Sequence, residues 1–282
     1  MALDPKNAET LAKYYECTNV GDFQGALKYL SDDVVYVVPG PSDRVPYSGR
    51  WEGKGRVILC FQAFNAAFGL VDMAETRTIT SANDVFSIND EIFTSRGTGR
   101  PWRVGVVHHI TFDKNALISS LVNYTDIAPA IQALGGQTAI VSPMLQPDRV
   151  AGEDEISSDA ARAVVEQYYK AFPNVADLLD DSVTALVPGD PRRLRFSGTW
   201  RGPKEVLQMT AQFAASVEVN QSTLQKIVAN NGGVVAVVRL QGLFRPTKQP
   251  LDLEVVDFFQ VTGPGKIGRM AAYIDTFLLT KA

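Results

Sequence analysis

One internal repeat, at a fixed offset of 149 residues, constrains the fold of this chain more than any other feature. The tripeptide Val38–Gly40 recurs as Val187–Gly189. Near the end of each half, Tyr124–Asp126 recurs as Tyr273–Asp275. A repeat about the size of an ordinary domain indicates duplication of a whole domain rather than a solenoid of short units.

The repeat divides the chain into two domains joined by a linker. Residues 135–157 are rich in Gly, Pro, acidic and small residues without a sustained hydrophobic period, which is typical of a linker. We therefore expect a first domain at residues 1–134 and a second at residues 158–282. With 282 residues, 45% of them hydrophobic, each half can form its own core.

Within each half, the hydrophobic pattern predicts helices first and a long sheet afterwards. In the first half, helical spacing is found at residues 8–20 and 54–68. Runs of β-branched and aromatic residues predict strands at residues 34–38, 73–80, 85–95, 102–112 and 117–126. This order favours an α+β domain with a mostly antiparallel sheet.

The central feature of each half is a strand whose apolar face carries a single ionisable side chain. Alternate residues of 102–112 are apolar except His108, and alternate residues of 251–261 are apolar except Asp257. An ionisable group among apolar neighbours costs free energy unless it finds a partner, and its pKa tends to shift. Such positions are candidate active sites.

An acidic residue at the end of each half is the expected partner of this group. We expect His108 to pair with Asp126 as catalytic residues, because a neutral imidazole can move a proton near pH 7. In the second half, Asp257 and Asp275 are expected to share a proton, since two carboxyls in low dielectric repel each other. The structural alternatives are a core histidine and aspartates that cap the helix or turn after the last strand.

Aromatic residues are the candidates for the walls of a ligand pocket. The residues predicted to contact a ligand, besides the catalytic pair, are Tyr14, Tyr36, Trp51, Tyr124, Asp257 and Asp275. Packing in the core is the alternative for each aromatic residue in this set.

The order of elements resembles the SnoaL-like branch of the nuclear transport factor two-like superfamily. The resemblance is carried by residues 46–61 with their S-G-x-W-x-G turn, by residues 96–112 and by the Y-x-D motif at 124–126. It extends over nearly all of both halves. It implies a cone-shaped domain, in which a curved sheet wraps round the helices and a pocket opens on the concave side.

Members of that superfamily include ketosteroid isomerase, polyketide cyclases, scytalone dehydratase and limonene epoxide hydrolase, along with domains that only bind or assemble. In the SnoaL-like cyclases a histidine and an aspartate on the last two strands face the pocket, and His108 and Asp126 stand at those positions. The second copy departs from this pattern with Asp257. The resemblance implies binding of a small, mostly apolar carbonyl compound and acid–base isomerisation, cyclisation or dehydration. The alternative is a non-catalytic binding or assembly protein.

Composition and motifs exclude several other classes of function. A net charge of −4 and a pI near 5.3 indicate neither nucleic acid nor a membrane surface as partner. Phosphate-binding loops and nucleophile elbows are missing from the sequence, so we expect no cofactor. No metal site is expected, because the only two histidines are adjacent on one strand and point to opposite faces. Two cysteines and an amino terminus unlike a signal peptide indicate a cytoplasmic protein.

We predict that the two halves pack through their sheets as an intramolecular pseudo-dimer and that the chain is monomeric overall. The outward faces of the central strands mix apolar and polar residues, as contacts between sheets do. Small-angle X-ray scattering should yield the profile of one compact particle. A profile of two separated bodies joined by a tether would contradict this packing.

Overall fold

The computed structural model describes residues 2–139 and 155–280, which form two compact units. Both units contain helices and a six-stranded sheet, which confirms the predicted α+β class. Most of the predicted linker, residues 140–154, lies outside the described residues. None of the described helices is long and apolar enough to cross a membrane.

The first unit contains four helices and six strands among its described residues. The helices are α1 (Pro5–Asn19), α2 (Phe23–Ala26), α3 (Lys54–Ala67) and α4 (Ala128–Leu134). The strands are β1 (Leu30–Val38), β2 (Gly49–Glu52), β3 (Phe68–Thr80), β4 (Asp84–Ser95), β5 (Pro101–Phe112) and β6 (Ile118–Thr125). They lie in the order β2-β1-β6-β5-β4-β3, with β1 parallel to β6 and the other neighbours antiparallel.

The second unit repeats this topology. Its helices are α5 (Ser158–Ala171), α6 (Gly202–Ser216) and α7 (Phe277–Thr280). Its strands are β7 (Leu179–Val187), β8 (Gly198–Arg201), β9 (Val217–Asn230), β10 (Gly233–Phe244), β11 (Gln249–Val261) and β12 (Ile267–Tyr273). The sheet order is β8-β7-β12-β11-β10-β9, again with one parallel pair, β7 and β12.

The strand β2 is the element that the hydrophobic pattern did not reveal. Its four residues are too few for a visible alternation, and the Gly-rich turn around them indicated a loop. In the structure β2 pairs with β1, and Trp51 lies opposite Tyr36. The strand β2 is therefore an edge strand of the sheet, and it fixes the position of the turn that leads into α3.

The core of the first unit forms where α1 and α3 pack on one face of the sheet. Tyr14 of α1 and Val57 and Phe61 of α3 are buried in one cluster with Ile110 and Leu121 of the sheet. Helical spacing places these side chains on the sheet-facing sides of their helices. The helices cover part of the sheet face, and the remaining face is available to line a cavity.

Two glycine substitutions should change stability in opposite directions. A Cβ on Gly242 of β10 would lie 1.8 Å from the carbonyl oxygen of Glu218, so Gly242→Ala should destabilise the second unit by about 1–3 kcal/mol. A Cβ on Gly55 of α3 meets no atom within 4 Å, so Gly55→Ala should stabilise the first unit by up to about 1 kcal/mol. Chemical denaturation followed by circular dichroism measures both effects. Unchanged stability of Gly242→Ala would contradict the close approach of β9 and β10.

Candidate functional site

The first unit contains an open cavity of about 360 Å³ lined by residues of its helices and its sheet. Aromatic side chains from α1, α3 and several strands make up much of its wall. They include Tyr14, Tyr36, Tyr47, Phe61, Phe64 and Phe93. A mostly apolar wall with a few convergent polar groups is the usual composition of a small-molecule site.

His108 of β5 lines this cavity, and polar side chains of β4 and β6 surround it. The Nε2 atom of His108 lies 3.5 Å from Oε1 of Glu91, and its Nδ1 atom lies 3.4 Å from the amide nitrogen of Asn89. With this amide as the donor, the neutral ring carries its proton on Nε2, the nitrogen that faces Glu91. Asn123 on β6 lies directly opposite His108 and donates a hydrogen bond of 3.0 Å to the Tyr36 hydroxyl.

Burial determines the charge state of the pair formed by His108 and Glu91. Burial raises the pKa of the Glu91 carboxyl to about 8 and lowers the pKa of the His108 imidazole to about 4. Both side chains are therefore mainly neutral between these two pH values. A carboxyl group with a pKa near the working pH can both give and take a proton.

The strand register does not place Asp126 next to His108, the partner predicted for it. The strand register places Asn123 opposite His108, and Asp126 follows three residues later, beyond the end of β6. An odd number of residues along a strand reverses the side-chain direction. Asp126 is buried outside the cavity lining, and its Oδ1 atom accepts a hydrogen bond of 3.2 Å from the backbone of Ala128 at the start of α4.

Two of the four aromatic residues predicted to contact a ligand line the first cavity, namely Tyr14 and Tyr36. Trp51 is not part of the lining, because its indole nitrogen donates a hydrogen bond of 3.0 Å to the carbonyl oxygen of Tyr47. Tyr124 is also outside the lining. It adjoins Asn123 on β6, so its side chain points to the other face of the sheet.

The second unit encloses a cavity of about 280 Å³ with Asp257 as the only carboxylate in its described lining. The Oδ2 atom of Asp257 accepts a hydrogen bond of 2.7 Å from the Tyr169 hydroxyl. Burial raises the pKa of Asp257 to about 6, and the hydrogen bond from Tyr169 opposes this rise. The residues opposite Asp257 on the neighbouring strands are Ala236 and Ala272.

The strand register does not place Asp275 next to Asp257, the partner expected from the sequence. Asp275 follows β12 at a position three residues beyond Ala272, and it is not part of the cavity lining. Its Oδ1 atom accepts a hydrogen bond of 3.1 Å from the backbone of Phe277. Both Asp126 and Asp275 therefore act at the start of the closing helix, which was the structural alternative.

His109 lies on the opposite face of β5 from His108, and it contacts side chains of β4. Its Nε2 atom lies 2.9 Å from Oδ1 of Asp84, and its ring stacks on Phe86 with the centroids 4.1 Å apart. Among the described residues, no group of three or more His, Cys, Asp or Glu side chains could hold a metal ion.

Sequence reasoning missed the polar groups of β4. Ser87, Asn89 and Glu91 occupy alternate positions of a strand on which Asp90 is also polar, so the sequence shows no alternation that marks a buried face. The structure buries all three. The signal that could have found them is the repeat itself. At the offset of 149 residues, their counterparts are Ala236, Val238 and Leu240.

An arginine follows the fourth strand of each half, and its partners differ between the halves. Arg96 lines the first cavity, and its Nε atom donates a hydrogen bond of 2.6 Å to the carbonyl oxygen of Asn65 near the end of α3. The equivalent Arg245 forms an ion pair of 3.0 Å with Glu218. The counterpart of Glu218 in the first half is Gly69, which offers no carboxylate.

The pKa of Glu91 predicts a pH dependence of stability. Because its folded-state pKa of about 8 exceeds the ordinary value of 4.5, its contribution is complete below pH 4.5 and is lost as the pH rises through 8. Glu91→Gln removes this loss. From pH 6.5 to pH 8.5, the variant should therefore gain at least about 1 kcal/mol of stability relative to the parent chain.

Urea denaturation of the parent chain and of Glu91→Gln at these two pH values measures the difference. His108 is present in both the parent chain and the variant, so the contribution of its own titration to the pH dependence is largely removed when the two chains are compared. Glu16→Gln, at an exposed position on α1, is the matched control. A stability difference that is the same at both pH values would contradict the raised pKa of Glu91.

Comparisons with solved structures return proteins that align with about half of this chain. An NTF2-like protein of unknown function from Burkholderia pseudomallei K96243 is 22% identical over 48% of this chain and 98% of its own, with a TM-score of 0.42. Delta 5-3-ketosteroid isomerase from Mycobacterium sp. is 21% identical over 42% of this chain and 92% of its own, with a TM-score of 0.37. TerC, co-crystallised with polyporic acid, is 18% identical over 46% of this chain and 98% of its own, with a TM-score of 0.42.

The comparison with curated proteins found no match. The profile of the SnoaL-like domain matches residues 11–121 and again residues 161–270. These two matches make up more than half of the chain and coincide with the two units of the structure. The chain therefore belongs to the SnoaL-like domain family and carries two tandem copies of that domain.

Proposed function

We propose that the first domain binds a small, mostly apolar carbonyl compound and moves a proton on it by acid–base catalysis. The observation that carries this proposal is the pair formed by Glu91 and His108 at the polar end of an aromatic cavity. In this proposal, Glu91 has the role of acidic partner of His108 that the sequence had suggested for Asp126. The proposed chemistry is isomerisation, cyclisation or dehydration, each of which can begin with proton transfer next to a carbonyl group.

Glu91 is the proposed proton carrier, and His108 is its positioning partner. The Nε2–H group of His108 faces Oε1 of Glu91 and stabilises the carboxylate when it forms. Because the pKa of Glu91 is about 8, a useful fraction of the carboxylate exists near neutral pH and is a strong base. The carboxylate removes a proton from the carbon next to the carbonyl group and returns it to the same or another carbon.

Tyr36 is the proposed donor to the carbonyl oxygen. Its hydroxyl accepts a hydrogen bond from Asn123, so its own hydrogen can be directed into the cavity. Glu91 is close enough to Tyr36 to contribute to the rise of its pKa, although burial is the largest cause. A buried donor of this kind stabilises the negative charge that develops on oxygen as the enolate forms.

For the second domain we propose ligand binding without proton transfer at carbon. The counterparts of Glu91 and Asn123 are Leu240 and Ala272, so the described lining of the second cavity lacks both the pair formed by a glutamate and a histidine and the amide of the first. Non-catalytic binding is also the alternative for the first domain, and the following assay distinguishes the two.

Deuterium exchange at the carbon next to a carbonyl group tests the proposal without knowledge of the product. The parent chain should accelerate exchange of 2-tetralone in D₂O, followed by proton NMR. Glu91→Gln should reduce the enzymatic rate at least about 100-fold, because general acid–base catalysis contributes that much. Tyr36→Phe should also reduce the rate while ligand binding is retained.

The controls separate catalysis from binding and from misfolding. Glu52→Gln, at an exposed position on β2, is the matched carboxyl control and should keep the parent rate. Asp126→Asn should also catalyse deuterium exchange of 2-tetralone at the parent rate, since Asp126 lies outside the cavity lining. If its rate fell as much as that of Glu91→Gln, Asp126 would have a role in catalysis. If the parent chain binds 2-tetralone without accelerating exchange, the first domain is a binding domain.

A further inference from the structure

The second cavity contains one carboxyl group in a described lining that is otherwise apolar and aromatic except for Ser222. The titratable side chains of its described lining are Tyr168, Tyr169 and Asp257, and no Lys, Arg, His or Glu belongs to it. Asp257 is half-buried because its side chain faces the cavity. One of its oxygens is held by Tyr169. A carbonyl ligand could not pair with this carboxylate, since both would be hydrogen-bond acceptors.

The carboxylate has no positively charged partner in the described lining. Burial raises the pKa of Asp257 to about 6, so the group is ionised at neutral pH and above. A negative charge in apolar surroundings is costly unless it is paired. The hydrogen bond from Tyr169 satisfies part of this requirement but leaves the net charge unchanged. A ligand that brings a positive charge would complete the pair.

The walls of the cavity are suited to a cation. Six aromatic residues line it, namely Tyr168, Tyr169, Phe172, Phe196, Phe213 and Phe259. Aromatic faces within about 6 Å attract ammonium groups, more strongly when water is excluded. Tyr169 and Phe259 are in edge contact, with ring centroids 6.0 Å apart, and both lie in the same lining as Asp257. The carboxylate and the aromatic rings therefore line the same cavity.

We propose that the second domain binds a small primary amine in its ammonium form, with Asp257 as the counter-ion and the aromatic walls around its apolar body. This inference does not depend on the proton transfer proposed for the first domain, because it concerns another cavity and is tested by measuring the affinity for a ligand rather than a reaction rate. It assigns different ligands to the two copies: a carbonyl compound to the first and an amine to the second.

Calorimetric titration of the full chain with phenethylamine and with 2-phenylethanol tests the proposal. The two probes have the same size and apolar body and differ in charge. At pH 8 one phenethylamine should bind per chain, at least about tenfold more tightly than the alcohol, as a charge-assisted hydrogen bond requires. Asp257→Asn should remove this preference and leave binding of the alcohol unchanged. Equal binding of both probes, or no binding of the amine, overturns the proposal.

A fall in pH should weaken binding of the amine. Aliphatic amines stay protonated below about pH 10, so the change reports the carboxylate. With a pKa of about 6, roughly one tenth of Asp257 is ionised at pH 5, and the affinity should be about tenfold lower than at pH 8. An affinity for the amine that does not change between these pH values contradicts the role of Asp257.

Two further variants keep the test decisive if Asp257→Asn does not fold. Tyr169→Phe retains the carboxylate and removes a hydrogen bond that lowers its pKa, so the pH midpoint of amine binding should rise. Asp252→Asn removes an exposed carboxylate from the same strand, β11, and should leave amine binding unchanged. An unshifted midpoint in Tyr169→Phe, or an equal loss of affinity in Asp252→Asn, would overturn the assignment.

Discussion

The hydrogen-bond register between β4 and β5 determines which side chains of β4 lie on the same face of the sheet as His108. Ser87 lies directly opposite His108, and Asn89 and Glu91 follow at alternate positions on the same face of β4. A slip of one residue would turn this whole set to the other face of the sheet. The positions of the buried polar groups therefore depend on the pairing of β4 with β5, and the chemistry of the site rests on the packing of the sheet.

Duplication has preserved the topology while the two copies diverged in different ways on the two faces of the sheet. On the outer face, Asp90 pairs with Arg103 in the first copy, and Arg239 pairs with Asp252 in the second. The acidic residue is on the fourth strand and the arginine on the fifth strand in the first copy, and the two are exchanged in the second copy. Each pair therefore still joins opposite charges on neighbouring strands, which is favourable. The cavity face has no such compensation, because the carboxyl, amides and hydroxyl of the first copy have apolar counterparts in the second.

The sequence predicted the fold well because a long repeat and strong periodicity both report on packing. It predicted the site less well, for local reasons. Asp126 was assigned to the cavity from its place at the end of a motif, although an odd spacing from Asn123 turns it away. Trp51 was assigned from its size, although its indole group is held by a carbonyl oxygen. Glu91 was missed because its strand shows no alternation that marks a buried face.

The arginine after the fourth strand gives the two copies different electrostatic surroundings. The guanidinium of Arg96 lies in the lining of the first cavity and donates a hydrogen bond to a backbone carbonyl oxygen. The guanidinium of Arg245 instead forms an ion pair with Glu218, and the residue that follows Glu218 in the chain lines the second cavity. Positive charge at an opening raises the local concentration of anions and repels cations over a Debye length of about 10 Å. A charged ligand would therefore meet a different local potential near Arg96 than near Arg245, and the corresponding positions Gly69 and Glu218 contribute to this difference.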